Sequence, residues 1–572
     1  MPTLAPTNFN IVVSVLGGWI SVFGLVSYLL KENFYLSEAL ISLLAGLVFS
    51  PHAANFVRPL EYAGSEENLN AITLYFTRLV LGVQLVLAGV QLPSRYLKKE
   101  WKPLALLLGP IMTAMWIITS LLVWGLVPNL PFLHALAIGA CVTPTDPVLS
   151  NVIVKGRFAD HNVPKDLQKI IIAESGANDG LGYPFLFFAL YLVKYIGDGG
   201  VNEQGGAGLA MGLWFGETWG YTILLSVVYG AVVGWIAKEL LHFCEEHKFV
   251  DRESFLVFAF SLALFITGTC GMIGSDDILA CFIAGNVFTW DDWFRLETLD
   301  DSLQPTIDML LNVTIFMWYG AVCPWHSFIA NSIIPIYRLI PLGILILLFR
   351  RLPLILAFYK KIPQIYGFQQ AVFMGFFGPI GCSAIFYLYA TLEFIDTLNP
   401  NQGSVARWDV AHLKESVSVL VWFMVICSVV VHGLSIPLGK FGFYLPRTIS
   451  RSLSSPEDLS FQIGARIIPR SRSRDGTATH TSADSRSVSV RPVYKVGGSI
   501  ITEHTGTTAD ATELVESRDN LEAGSKPLEL VPGSPHSTPS PTLPSRTIRF
   551  PDEASSAGKE FQDPKRDATT AS

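Results

Sequence analysis

Apolar residues run in long blocks from about residue 8 to residue 439, cut by short polar joints. A helix needs about 20 mostly apolar residues to cross the hydrocarbon core of a bilayer. On that measure the pattern predicts thirteen spans, at 8–30, 34–50, 71–92, 103–127, 132–154, 170–195, 217–241, 254–273, 275–290, 305–323, 332–358, 368–392 and 412–439. The 254–290 stretch reads either as one long span or as two tight ones. The expected fold is an all-α polytopic membrane protein.

The charges in the joints set an orientation. Loops and span ends after odd-numbered spans hold 15 basic residues: Lys31, Arg95, Lys98, Lys99, Lys102, Lys155, Arg157, Lys165, Lys169, Lys238, Lys248, Arg252, Arg295, Lys360 and Lys361. The other side holds Arg58, Lys194 and Arg407, and six in all if Arg78, Arg338 and Lys414 are counted there. Basic residues stay cytoplasmic. The N-terminus is therefore expected outside and the C-terminal tail in the cytoplasm. A count of twelve spans would scramble that asymmetry.

From residue 445 the pattern stops, dividing the chain into 1–444, a membrane domain, and 445–572, a tail rich in Ser, Thr, Pro and charge. Such a tail buries too little apolar surface to offset its ordering entropy, so disorder and phosphorylation are expected, as at Ser534-Pro535 and Ser540-Pro541. The segment Phe461–Ile468 reads equally as a docking site and as a chance apolar cluster. The tail holds 16 basic and 16 acidic residues, so the whole net charge of −7 lies in 1–444, a hint of cation handling.

Composition agrees with a lipid setting. Of 572 residues 50% are apolar and only 15% charged, against a usual share of about 25%. The seven cysteines have no CxxC spacing and read as buried apolar residues. The N-terminus lacks the basic segment of a cleavable signal peptide, so the first span is expected to be retained. No nucleotide loop, metal-ligand cluster or nucleophile triad appears, so neither an enzyme, a cofactor nor a nucleic-acid partner is expected. Uphill transport would have to draw on an ion gradient.

Within the spans, polar residues concentrate in a few places. Thr143-Pro144-Thr145-Asp146-Pro147 lies inside the fifth. Its prolines cannot donate to the carbonyls of Ala140 and Thr143, so those oxygens, with Thr145 and the charge of Asp146, suit a hard cation. Glu174-Ser175-Gly176-Ala177-Asn178-Asp179-Gly180 opens the sixth. Helical i, i+4 spacing sets Glu174 over Asn178 and Ser175 over Asp179, and the small residues admit a close neighbour. A proline kink would explain the first stretch and a cytoplasmic helix end the second, but the two together point to an intramembrane ion site. A third, Gly375-Phe376-Phe377-Gly378-Pro379-Ile380-Gly381, interrupts the twelfth span and is expected to free the Gly375 carbonyl. Paired breaks early and late mark an inverted-repeat transporter with a midplane site.

Arg350 and Arg351 fall in the eleventh span; one is expected to serve structure or gating, or both to snorkel to the cytoplasmic surface. Asp276 and Asp277 open the ninth and are accessory candidates, lining an external vestibule or capping the helix. Adjacent helical side chains diverge by about 100°, so both cannot aim at one ion. Asp308, Glu415 and His432 read as packing partners.

At these residues the chain resembles the cation/proton antiporter superfamily, and within it the fungal plasma-membrane Na⁺(K⁺)/H⁺ antiporters, over about residues 10–440. The resemblance implies a core with two broken, crossing helices, here the fifth and twelfth spans, and a homodimer. It implies Asp179 as the carboxylate that takes either cation or proton, and Asp146, the Thr145 backbone oxygen and Ser175 as the rest of the Na⁺ shell. Glu174 and Asn178 would hydrogen-bond across to the broken helix, and Arg351 would be the arginine near the site. Animal relatives carry an arginine after the glycines of the twelfth span, where this chain has Ile380. Asn178 stands where relatives exchanging two protons have an Asp, which implies electroneutral exchange.

The function expected is export of Na⁺, with K⁺ and Li⁺ as further candidates, against H⁺ at the plasma membrane, for salt tolerance, with regulatory proteins as candidate tail partners. The rivals are a sodium-coupled organic-anion symporter, which would need a roomier and more polar site, and a membrane sensor or scaffold signalling through its tail, which would leave the buried carboxylates unexplained.

Overall fold

A computed structural model describes residues 6–28, 36–147, 149–150, 159, 162–197, 205–398 and 408–452. Among these the regular structure is helical throughout, with no strand. The main helices are α1 (Asn8–Tyr28), α2 (Glu38–Phe49), α3 (Glu66–Gln91), α4 (Trp101–Leu126), α5 (Phe132–Cys141), α6 (Lys165–Gly180), α7 (Gly182–Ile196), α8 (Gly206–Glu246), α9 (Arg252–Ile273), α10 (Asp277–Phe288), α11 (Leu303–Val322), α12 (Ile336–Phe349), α13 (Leu352–Phe358), α14 (Phe368–Phe376), α15 (Cys382–Thr397) and α16 (Trp408–Ser452).

Seven described helical stretches, one of them running through α12 and α13 together, are long and apolar enough to cross a membrane. Their outward faces carry large apolar side chains: on α8, Phe215, Leu224, Val228, Val232 and Trp235 are exposed. The polar cluster of α6 is buried. That inversion suits a solvent of lipid tails, in which apolar surface needs no cover and polar groups do.

Each predicted span overlaps a described helix, yet several are divided. The 254–290 stretch is two helices: α9 ends at Gly274, whose left-handed φ of 78° suits glycine, and α10 starts at Asp277. The 170–195 span turns at Leu181 between α6 and α7. The 332–358 span stops after Phe349 and restarts at Leu352, a break the apolar pattern did not predict. Five of the seven cysteines are buried, while Cys244 and Cys427 are half-buried. Lys31, Lys155, Arg157 and Arg407 of the charge tally, and the tail from residue 453 with its Phe461–Ile468 segment, lie outside the described residues.

Candidate ion-binding site

The first break falls where the prolines require it. Helix α5 ends at Cys141, Val142–Asp146 leave the helical path, and helix resumes at Pro147. The second separates α14 from α15 across Phe377–Gly381. The two breaks touch through their backbones. Asp146 N donates to Pro379 O at 2.9 Å, and Cys382 N donates to Asp146 Oδ2. The carboxylate thus sits at the N-terminus of α15, where unpaired N–H groups and the helix dipole favour negative charge. A Cβ on Gly381 would overlap Asp146 Oδ2, so only glycine lets the carboxylate in.

Helix α6 supplies the other wall. Glu174, Ser175, Asn178 and Asp179 are exposed by 2%, 2%, 2% and 0%, which rules out a polar helix end at the surface. Asn178 grips the first break with both ends of its amide: Oδ1 accepts from Thr145 N at 3.1 Å and Nδ2 donates to Thr145 Oγ1 at 2.7 Å. Ser175 Oγ lies 3.3 Å from the same hydroxyl. The small residues of α6 face α10, as expected. Gly180 would set a Cβ 2.5 Å from Leu279 Cβ, and one on Gly176 would overlap the Phe282 ring.

Both carboxylate oxygens of Asp179 are buried without a hydrogen-bond partner among the described residues, and so is the Ser383 hydroxyl beside them. Asp146 and Asp276 are its charged neighbours. Helix α6 ends directly after it, and Tyr387 Oη closes that end, donating to the carbonyl oxygens of Asp179 and Gly180. Tyr387 has no sequence signature; only the fold brings it here.

The arginines do not snorkel: Arg350 and Arg351 are exposed by 2% and 3%. They occupy the gap between α12 and α13. Arg351 forks onto Glu174 at 2.5 and 2.7 Å and donates through Nε to Met374 O at 3.1 Å. Glu174 therefore faces Arg351, not the first broken helix as the resemblance implied. Arg350 Nη1 donates to Val142 O and lies 3.4 Å from Thr143 O and Pro144 O, while Nη2 donates to Gly378 O. The Thr143 carbonyl expected to face a cation is turned to this guanidinium. At the second break Phe376 O accepts from Gly378 N at 3.0 Å and lies 3.1 Å from His432 Nε2.

The accessory carboxylates diverge, as helical geometry demands. Asp276 Oδ1 caps α10 by accepting from Leu279 N at 3.0 Å. Asp277 pairs with Arg78 at 2.8 Å. Asp308 accepts from Gln84, and Glu415 accepts from Ser332.

Residues 20–438 match the family model described as sodium/hydrogen exchanger, transmembrane. The chain belongs to the sodium/hydrogen exchanger family. Na(+)/H(+) antiporter 2 of Zygosaccharomyces rouxii is 35% identical over 449 residues, 77% of this chain and 54% of that protein. A probable Na(+)/H(+) antiporter of Schizosaccharomyces pombe is 35% identical over 508 residues, 85% of this chain and 64% of its own length. The chain thus spans about half to two thirds of these relatives. The structure of a sodium proton antiporter from Methanocaldococcus jannaschii aligns with a TM-score of 0.53 at 16% identity, over 76% of this chain and 98% of that one. That likeness shows the antiporter fold. This sodium/hydrogen exchanger family member is accordingly a multi-pass membrane protein.

Thr145, Asp146, Glu174, Ser175, Asn178, Asp179, Arg350 and Arg351 gather at the crossing of the two breaks, with Asp276 and Asp277 to one side, while Asp308 and Glu415 lie elsewhere. Tyr387, which the sequence did not mark, joins the crossing. A signal for the arginine break existed: Pro353 suits the first turn of a helix, so a new helix could be expected to start just after the arginine pair.

Proposed function

We propose that the chain is a monovalent cation/proton antiporter that exchanges Na⁺ for H⁺ at Asp179. The observation that carries this reading is the buried Asp179 carboxylate, with neither oxygen hydrogen-bonded among the described residues, beside the Asp146 carboxylate. A bare carboxylate is costly to hold in a low-dielectric interior. Two ligands relieve the cost: a proton on oxygen, or a cation shared with Asp146. They exclude each other, because the protonated acid has lost the charge that attracts Na⁺. Movement of the site between the two faces of the membrane is then permitted only with one or the other bound, and the proton gradient drives Na⁺ outward. Asp146, Thr145 and Ser175 complete the cation shell, Asn178 holds Thr145 in place, and Glu174 with Arg351 ties α6 to the second broken helix. The names of the fungal relatives, Na(+)/H(+) antiporters, support the same exchange.

Asn178 spends both ends of its amide on Thr145 and cannot titrate, which favours one proton per cation. K⁺ and Li⁺ are further candidate ions. The excess of basic residues after odd-numbered spans supports an external N-terminus and a cytoplasmic tail, with residues 1–444 as exchanger and 445–572 as regulatory segment. The plasma membrane and a homodimer are assigned on the fungal resemblance.

The test is Na⁺-induced dequenching of a pH dye in vesicles holding the full chain. Asp179→Asn should abolish the signal. Wild-type exchange in that variant would overturn the assignment.

A further inference from the structure

A second polar cluster lies on the seam between α3 and α11, outside the crossing. Gln84, exposed by only 5%, directs its single –NH₂ group at two acceptors, Asp308 Oδ1 at 3.2 Å and Asn312 Oδ1 at 2.5 Å. Its own carbonyl oxygen, Oε1, is buried without a partner among the described residues. A plain staple between helices would pair that oxygen with an N–H group, since a buried acceptor left unmade is unfavourable. Here two acceptor oxygens, from Asp308 and Asn312, converge on one amide group whose own oxygen is left unmet.

The cluster has a direction. Thr77 lies seven residues before Gln84 on α3, and Tyr319 seven after Asn312 on α11, so each is about 10 Å farther along its helix on nearly the same face. Thr77 Oγ1 and Tyr319 Oη are 2.8 Å apart. Tyr319 in turn adjoins Cys382, whose backbone N–H holds Asp146. The seam therefore carries polar groups from half-buried Asp308, near the start of α11, to the ion site. The charge pattern sets the start of α11 on the cytoplasmic side.

We propose that Gln84, Asp308 and Asn312 form a second binding site for a monovalent cation, a staging point between the cytoplasm and Asp146. A half-turn of the Gln84 amide exchanges Nε2 for Oε1 and directs an amide oxygen, a carboxylate and a second amide oxygen at one ion. Such oxygens replace part of a hydration shell, and Asp308 is only half-buried. The role as a staging point rests on the antiporter reading. The existence of the site does not.

The test is equilibrium binding of radioactive Na⁺ to the purified full chain. In Asp146→Asn/Asp179→Asn, which removes the main site, residual Na⁺ binding is expected. Adding Asp308→Asn should abolish it, and adding Gln84→Glu should tighten it several-fold. Asp308 is half-buried and asparagine keeps its shape, so this arm does not depend on the core tolerating a new charge. Absence of residual binding, or residual binding unchanged by Asp308→Asn, overturns the proposal. Residual binding that follows Asp308, together with no proton exchange by the wild-type chain in vesicles, supports the site and removes only the antiporter reading.

Discussion

The backbone N–H of Cys382 donates to the side chain of Asp146. A carboxylate carried by one broken helix is thereby fixed by the first residue of the other. Neither break is a site alone. The first brings the charge, and the second brings the helix N-terminus that holds it. The space between them is set by Gly381, where a Cβ would overlap the carboxylate. Gly381→Ala should displace Asp146 and abolish Na⁺-dependent dequenching. Overpacking costs about 1–3 kcal/mol, so the variant should still reach the membrane. Exchange at the wild-type rate would show that the contact is dispensable.

Glu174 and Arg351 predict a different pattern, one of stability. Their fork is buried, with side chains exposed by 2% and 3%. Removing one partner of such a pair leaves an uncompensated charge, at about 3–5 kcal/mol. Glu174→Gln and Arg351→Gln should each lower the melting temperature of the purified protein strongly. The double variant should melt above either single one. A double variant that loses the sum of the two would mean that the charges are not coupled.

The sequence was most legible where local chemistry decides. Two prolines around Asp146 require a break, and i, i+4 spacing sets Ser175 and Asp179 on one face. It was least legible where distant segments meet. No pattern around Arg350 says that its guanidinium will find Val142 and Gly378, which lie 208 and 28 residues away along the chain. Glu174 shows the limit from the other side. Its burial was readable, but its partner was not, because carbonyls and guanidinia compete for the same neighbourhood and only packing decides. Tyr387 is one aromatic among many until the end of α6 falls beneath its hydroxyl.

A further prediction concerns the joint after α10. Arg295 donates to both oxygens of Asp292 at 2.6 Å, and this holds the Asp292 carboxyl below its usual range. The folded state then favours the ionised form. The contribution is present above the unfolded value of about 3.9 and is lost as pH falls through the lower folded value. Asp292→Asn should reduce thermal stability at neutral pH, and the difference from wild type should vanish in strong acid. High salt should shrink it, because the pair is partly exposed. A difference that persists unchanged at low pH would point to packing instead.

Arg350 makes the sharpest prediction about the crossing. The last turn of a helix leaves carbonyls without donors, and the two interruptions present Val142 O and Gly378 O to the same small volume. One planar guanidinium reaches both because its N–H groups fork. An ammonium keeps the charge but offers a compact point donor. Arg350→Lys should therefore leave at least one carbonyl unmet, at about 1–3 kcal/mol, and loosen the crossing that positions Asp146. The apparent KM for Na⁺ should rise and the melting temperature should fall, whereas Arg338→Lys, at an exposed position near the start of α12, should change neither. If charge alone sufficed, Arg350→Lys would exchange like wild type, and Arg350→Gln would be the defective variant.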